Sequence, residues 1–313
     1  MNKVVLLQMT LTKGMGDVAV KRVLDFMKAH SLTYADLEYS PNAIFFEAGI
    51  RRDIVERFPE TRTQAQYLAD DLSERGIETL AEIDADYPRY LKRSLGAKCP
   101  PVLFAKGNLS ILNQKSVGFC GSRKASQKGL DIASECARQL AEKQIAVVSG
   151  YASGVDMTAH KAALVSGGST AFVLAEGILK TTVKTQIREY LTDKNHVFLS
   201  QFAPRLSWNA GNAMKRNGII IGLSRAMILV ESGMTGGTFA AGESALNARC
   251  PLFVVDFAQP EASATANRYF IEKGGYPIRG KNMVPNLNRV FQVINRGAAF
   301  SMEPVNEQMR LSL

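Results

Sequence analysis

From Ser116 onward the chain repeats one pattern: a short apolar run, a turn of small polar residues, then a segment with apolar positions three and four apart. Apolar runs of four or five residues mark strands buried on both faces, and here they alternate with helical periodicity. The predicted strands are Ser116–Cys120, Ala146–Ser149, Thr170–Leu174, His196–Ser200, Ala226–Val230 and Leu252–Val255. The predicted helices between them are Gly129–Lys143, Met157–Ser166, Lys184–Thr192 and Phe239–Ala248. Such alternation predicts an α/β fold with a doubly wound, mainly parallel sheet, whose ligands sit at the carboxyl ends of the strands.

Residues 1–80 read differently. Helical spacing follows the Gly14-Met15-Gly16 turn through Leu24, and no convincing strand occurs beyond the first few residues. A small helical domain over 1–80, SAM-like or helix-hairpin-helix-like, is predicted ahead of the sheet. Its glycine turn suits a plain connection between packed helices as well as a phosphate contact. Residues 81–113 form a connector punctuated by Tyr87-Pro88 and Pro100-Pro101. The α/β domain is predicted over 81–285, and 286–313 as a C-terminal tail.

Charge sharpens this picture. The net charge is +9, and residues 101–225 carry 16 Lys and Arg against 7 Asp and Glu. Residues 1–100 carry 14 against 15, and 226–313 carry 8 against 7. The excess coincides with the small polar turns and points to a polyanionic partner. The apolar run Gly218–Val230 is too short for a membrane span and is interrupted by Arg225. Cys99, Cys120, Cys136 and Cys250 are scattered, with no histidine cluster nearby. They predict reduced, mostly buried thiols in a cytoplasmic protein without a metal site.

Four segments carry candidate chemistry. Gly121-Ser122-Arg123-Lys124 follows a strand directly, offering a tight turn, a hydroxyl and two cations to a phosphate. The third glycine of the dinucleotide fingerprint is missing, and no P-loop lysine motif is present. Ser149 and Gly150, with Gly154 beyond them, repeat the design on the next strand. Asp156 is predicted to cap the following helix, with His160 one turn later; capping and core packing account for both, so no catalytic residue is assigned. Lys215, Arg216 and Asn217 lead into an apolar helix, and Gly236, Gly237 and Thr238 open another. In a doubly wound sheet these groups would share one rim, larger than a single phosphate needs and suited to a strand of several.

At these residues the chain resembles the DprA/Smf (DNA-processing protein A) family. The family's D-x-x-Y-P-x-x-L appears as Asp84 to Leu91, and its P-P-x-L-x-x-x-G as Pro100 to Gly107. Its V-G-S-R turn is Cys120 to Arg123, and its S-G-x-A-x-G-[IV]-D-x-x-A-H-x-x-A-L matches Ser149 to Leu164 at every defined position. Its R-N-R-I-I-x-G-L-S is Arg216 to Ser224 with one change. The resemblance implies an extended Rossmann-like fold and a non-enzymatic protein without cofactors. It further implies binding of single-stranded DNA, a homodimer, and delivery of DNA to a RecA-type recombinase during DNA uptake, recombination or natural transformation.

Departures mark a divergent relative, for which defence against foreign DNA is a further setting. Gly218 replaces the second arginine of R-N-R, and Ala213-Met214 replaces the aromatic-proline pair before it. Trp208 lies nearby as a substitute stacking group. The family's V-P-G reads Val255-Asp256-Phe257. Two other functions stay open. One is a LOG-like nucleoside-monophosphate N-glycosidase, weakened because Glu243 sits five residues after Thr238 rather than three. The other is a nucleotide-sensing regulatory protein.

Overall fold

The computed structural model describes residues 3–296. The strands are β1 (Ile77–Ala81), β2 (Val102–Gly107), β3 (Ser116–Cys120), β4 (Ala146–Gly150), β5 (Thr170–Val173), β6 (His196–Ser200), β7 (Ala226–Leu229), β8 (Leu252–Val255) and β9 (Tyr276–Ile278). The chain forms two compact units: Met1–Asn113 with Ala171–Gly222, and Gln114–Thr170 with the chain from Leu223 on. These borders differ from 80 and 285 because strands far apart in sequence pair with one another, making both units discontinuous.

In the first unit the opening residues form a helix, Val4–Leu11, where a short strand was conceivable. Val4, Val5, Leu6, Leu7 and Met9 are all buried, and a helix apolar on every side belongs inside. Gly14, at φ +94°, turns the chain into the helix Asp17–Ala29. The predicted connector is ordered structure. It contains the helix Arg89–Leu95 and β2, which pairs antiparallel with both β1 and β6. Asp84 holds the region together, accepting from Ala81 N–H (2.6 Å), Lys3 Nζ (2.5 Å) and the Tyr34 hydroxyl (2.8 Å). The buried Tyr87 hydroxyl donates to Pro100 O at 2.6 Å, so the Tyr-Pro and Pro-Pro elements stitch one another. The predicted helix Lys184–Thr192 shrinks to a single turn, Thr185–Arg188.

The second unit is a parallel sheet in the order β4-β3-β7-β8-β9. Val117, Phe119, Val147, Ile228 and Phe253 project from one face into a core with the helices Gln127–Glu142 and Val155–Val165. The predicted tail contributes to that core: Asn288–Arg296 is a helix burying Val290, Val293 and Ile294. Residues 297–313 lie outside the described residues. On the other face the helix Gly237–Asn247 crosses so closely that a side chain at Gly242 would meet Phe270 and Leu229. Helices therefore cover both faces, and the winding reverses between β3 and β7. That reversal opens a crevice at the carboxyl edge.

Two buried polar residues lock this edge. Asn267 donates to Val230 O (2.7 Å) and Val255 O (2.9 Å) and accepts from Ser232 N–H (3.0 Å). Glu231, fully buried, accepts from Ser126 N–H (2.9 Å), the Ser126 hydroxyl and the Ser263 hydroxyl (2.6 Å). Its carboxylate thus sits on the N-terminus of the 127–142 helix. Among the described residues the four cysteines are free, with Cys99, Cys120 and Cys136 buried. Burial pushes the Cys250 thiol up to about 12.

Glu231→Ala strands three half-buried donors and empties a fully buried site, so urea unfolding should show a loss of about 3 kcal/mol, with Glu231→Gln losing less because its amide oxygen still accepts. Equal stability of Glu231→Ala and the native protein would refute the role given to this carboxylate.

Candidate nucleic-acid interface

Three helices of the second unit begin just beyond strand ends, and their N-termini differ in what already occupies them. The 127–142 helix is capped twice, by Ser126 Oγ accepting from Gly129 N–H (3.0 Å) and by the Glu231 carboxylate. A buried anion neutralises that end of the helix dipole, which leaves little to attract a phosphate there. The chain from Gly121 therefore runs as a loop before reaching Gln127.

The 155–165 helix starts at Gly154, φ +76°, and Val155 N–H donates to Ser122 O at 3.3 Å. A Cβ at Gly154 would strike that same oxygen, and one at Gly121 would strike the Val155 side chain. The two glycines are thus required by the close passage of the β3 and β4 turns. Ser149 is fully buried and donates to Phe119 O at 2.8 Å; Gly150 is buried, and its carbonyl accepts from His160 Nε2 (2.7 Å). These two candidates, taken from the sequence as contacts, instead tie strand to strand and strand to helix.

Asp156 does not cap the helix. The cap is Gly154, and Asp156 lies in the first turn, 8% exposed. His160 is wholly buried, with Nδ1 2.6 Å from Thr170 Oγ1. The pair is a packed element of the core, as the sequence reading favoured.

The 237–247 helix is open. Gly236, φ +93°, is its N-cap, and no side chain caps it. Gly236 and Gly237 are exposed, with no atom near where a Cβ would stand, and Thr238 is half-buried beside them. The first amides of this helix point outward from an uncapped, positive dipole end, an arrangement that favours an anion. This segment follows β7, the direct neighbour of β3. The loop after β3 exposes Arg123 and Lys124. Ser122 N–H is used by Glu231 O (2.9 Å), and Ser122 Oγ accepts from Lys124 N–H (3.0 Å), which leaves the hydroxyl proton to donate.

Lys215, Arg216 and Asn217 belong to the first unit, on the helix Ala210–Leu223. Lys215 is exposed and lies 3.2 Å from Asp17 Oδ2. Arg216 is only 7% exposed, so its guanidinium is a packed group of the helix, and Asn217 is half-buried. Gly218 has open space where a side chain would stand. Trp208 (51% exposed) and Met214 (47%) lie on the surface of this segment. Glu243, the alternative catalytic residue, faces Tyr269, whose phenol is held above its ordinary range first by desolvation and then by this carboxylate. Among the described residues no cluster of three metal-ligating side chains occurs, and no helix is long and apolar enough to cross a membrane.

Sequence reasoning missed Glu231 and Asn267. The signal for Glu231 was a carboxylate set directly after a fully apolar strand, where solvent is already excluded.

Comparison with known proteins agrees with the motifs. The family model for DNA recombination-mediator protein A matches residues 78–287. DNA processing protein DprA of Bacillus subtilis is 29% identical over 212 residues, covering 66% of this chain and 69% of that protein. Its namesake from Streptococcus pneumoniae is 30% identical over 194 residues, covering 61% and 67%. Among solved structures, the X-ray structure of S. pneumoniae DprA superposes with a TM-score of 0.70 at 24% identity, covering 91% of this chain and 97% of that one. A Helicobacter pylori DNA processing protein A, whose structure is described in terms of its single-stranded DNA binding mode, matches with a TM-score of 0.55 at 24% identity, covering 72% and 96%. With the fold matched and the family model spanning well over half of its length, the chain belongs to the DNA recombination-mediator protein A family.

Proposed function

We propose that this protein binds single-stranded DNA by its backbone, without catalysing a reaction on it. The observation that carries the reading is the uncapped, exposed helix N-terminus at Gly236-Gly237-Thr238, set after the strand next to the Arg123-Lys124 loop. Backbone amides and cations contact phosphates without reading sequence, so the binding is indifferent to base order. Family membership and the described DNA binding of the H. pylori relative support the choice of ligand. The charge excess of residues 101–225, shared between the two units, favours a polymer over a mononucleotide as the ligand. Lys215 and Trp208, on the first unit, are proposed as further contacts, with the indole replacing the absent aromatic of the family motif. Delivery to a RecA-type recombinase completes the reading, supported by the family's description as a recombination mediator, and homodimer formation is carried over from the family resemblance.

Affinity for oligo-dT is expected to fall with salt by about 0.7 log unit per log unit for each phosphate neutralised. Arg123→Glu with Lys124→Glu should weaken binding at least about tenfold and flatten that slope; a double variant with native affinity and slope would exclude this loop.

Gly237→Asp separates binding from stability. Its carboxylate would occupy the open helix end, repelling phosphate while adding roughly 0.3–1 kcal/mol through the dipole. Weaker DNA binding with an unchanged or higher melting temperature is expected. Undiminished binding would remove the helix end from the site.

The chain has a single tryptophan, so its fluorescence reports on one position. Oligo-dT should quench Trp208, and Trp208→Ala should lose about 1–3 kcal/mol of binding with the salt slope intact, as stacking carries no charge. An unresponsive indole at saturating DNA would rule out stacking there.

A further inference from the structure

A cavity of about 470 Å³ opens in the second unit, and none of the residues proposed above as DNA contacts lines it. Its apolar part is Ile132, Val255 and Ile278, with Phe257 at the end of β8. A two-stranded hairpin, β10 (Gly280–Lys281) and β11 (Val284–Pro285), closes one side. Asn282 and Met283, both at positive φ, form its turn. The volume lies within the range of roughly 300–1,000 Å³ typical of small-molecule sites.

Three charged groups line this otherwise apolar space: Lys128, Asp256 and Arg279. Lys128 makes no ion pair among the described residues, and its ammonium stands 5.5 Å from the centre of the Phe257 ring. A half-buried cation beside apolar walls, lacking a carboxylate, seeks an anion. Arg279 donates through Nε to Asp256 Oδ2 at 2.7 Å, which leaves its two terminal amino groups for a phosphate and the second Asp256 oxygen to accept a hydrogen bond. Asp256 and Phe257 are the two residues at which this chain departs from the family's V-P-G. The departure therefore supplies the cavity with both its carboxylate and its aromatic face.

We propose that this cavity binds a nucleobase carrying a phosphate. The ring stacks on Phe257 over the apolar floor, an amino or ring N–H group donates to Asp256, and the phosphate takes Lys128 and Arg279. Plain hydrocarbon would desolvate these charges and leave Lys128 without an anion, and a free phosphate would leave the apolar walls uncovered. A free nucleotide and a nucleotide of a DNA strand share this chemistry.

Calorimetric titration of the full chain with the four 5′-mononucleotides, with their four nucleosides and with inorganic phosphate tests the site. At least one mononucleotide should bind with a dissociation constant on the order of 10–100 µM, as expected for a ligand of this size. The matching nucleoside and inorganic phosphate should each bind at least about tenfold more weakly. Phe257→Leu, which keeps apolar bulk, and Lys128→Gln should each weaken binding about tenfold or more, with unchanged melting temperatures confirming that both variants fold. If mononucleotides give no heat but Phe257→Leu weakens oligo-dT binding, the occupant is a nucleotide of the strand. Mononucleotide binding that survives both substitutions overturns the proposal, as does the absence of mononucleotide binding together with native oligo-dT affinity in both variants. The Arg123→Glu, Lys124→Glu variant keeps the two sites apart: it should bind mononucleotide normally. Mononucleotide binding by a native protein that ignores oligo-dT would sink the DNA reading and leave this one standing.

Discussion

The carboxyl edge of the parallel sheet is organised by one buried carboxylate. Glu231 leaves β7 at the point where the winding reverses, and its side chain reaches the N-terminus of the 127–142 helix. Its backbone oxygen receives Ser122 N–H, which fixes the turn after β3. Ser263 closes the third side. An ion taken out of water is tolerable only when its lone pairs are satisfied, and here strand, helix and loop all contribute donors. The arrangement also decides which helix ends remain available. One is filled by the protein's own carboxylate, one is covered by the Ser122 carbonyl, and the last is left bare at Gly236 and Gly237.

Much of this was legible in the residues. Ser116–Cys120, His196–Ser200 and Leu252–Val255 are strands as read, because a run buried on both faces has little else it can be. The edge strands β1 and β9, and β2 beside β1, were not legible. Ile77–Ala81 contains Glu78 and Tyr276–Ile278 contains Pro277, so neither carries the unbroken apolar run of a central strand. Local pattern also over-extended the Lys184–Thr192 helix, since amphipathic spacing survives in a segment that tertiary packing holds as a single turn.

The glycine motifs carried a mixture of meanings that spacing could not separate. Gly121 and Gly154 serve each other's passage, Ser149 and Gly150 serve the core, and Gly236 with Gly237 serve openness. Only the geometry distinguishes a glycine needed because a neighbour is too near from one needed because nothing is there. Arg216 shows the same ambiguity for charge: a cation in a basic motif reads as a contact, yet its helix face is packed.

The discontinuity of both units bears on how the chain comes off the ribosome. β3 pairs with β7 through Val117 and Ala226, and β2 pairs with β6 through Phe104 and Ser200. The first unit needs the chain as far as Gly222, past the opening segment of the second, and the second unit cannot finish its sheet until all of the first has been synthesised. The strand β3 must wait with its β7-facing edge unpaired, the condition under which nascent chains aggregate. Such long-range pairing ties completion of this sheet to arrival of the C-terminal third of the chain rather than to closure of local contacts.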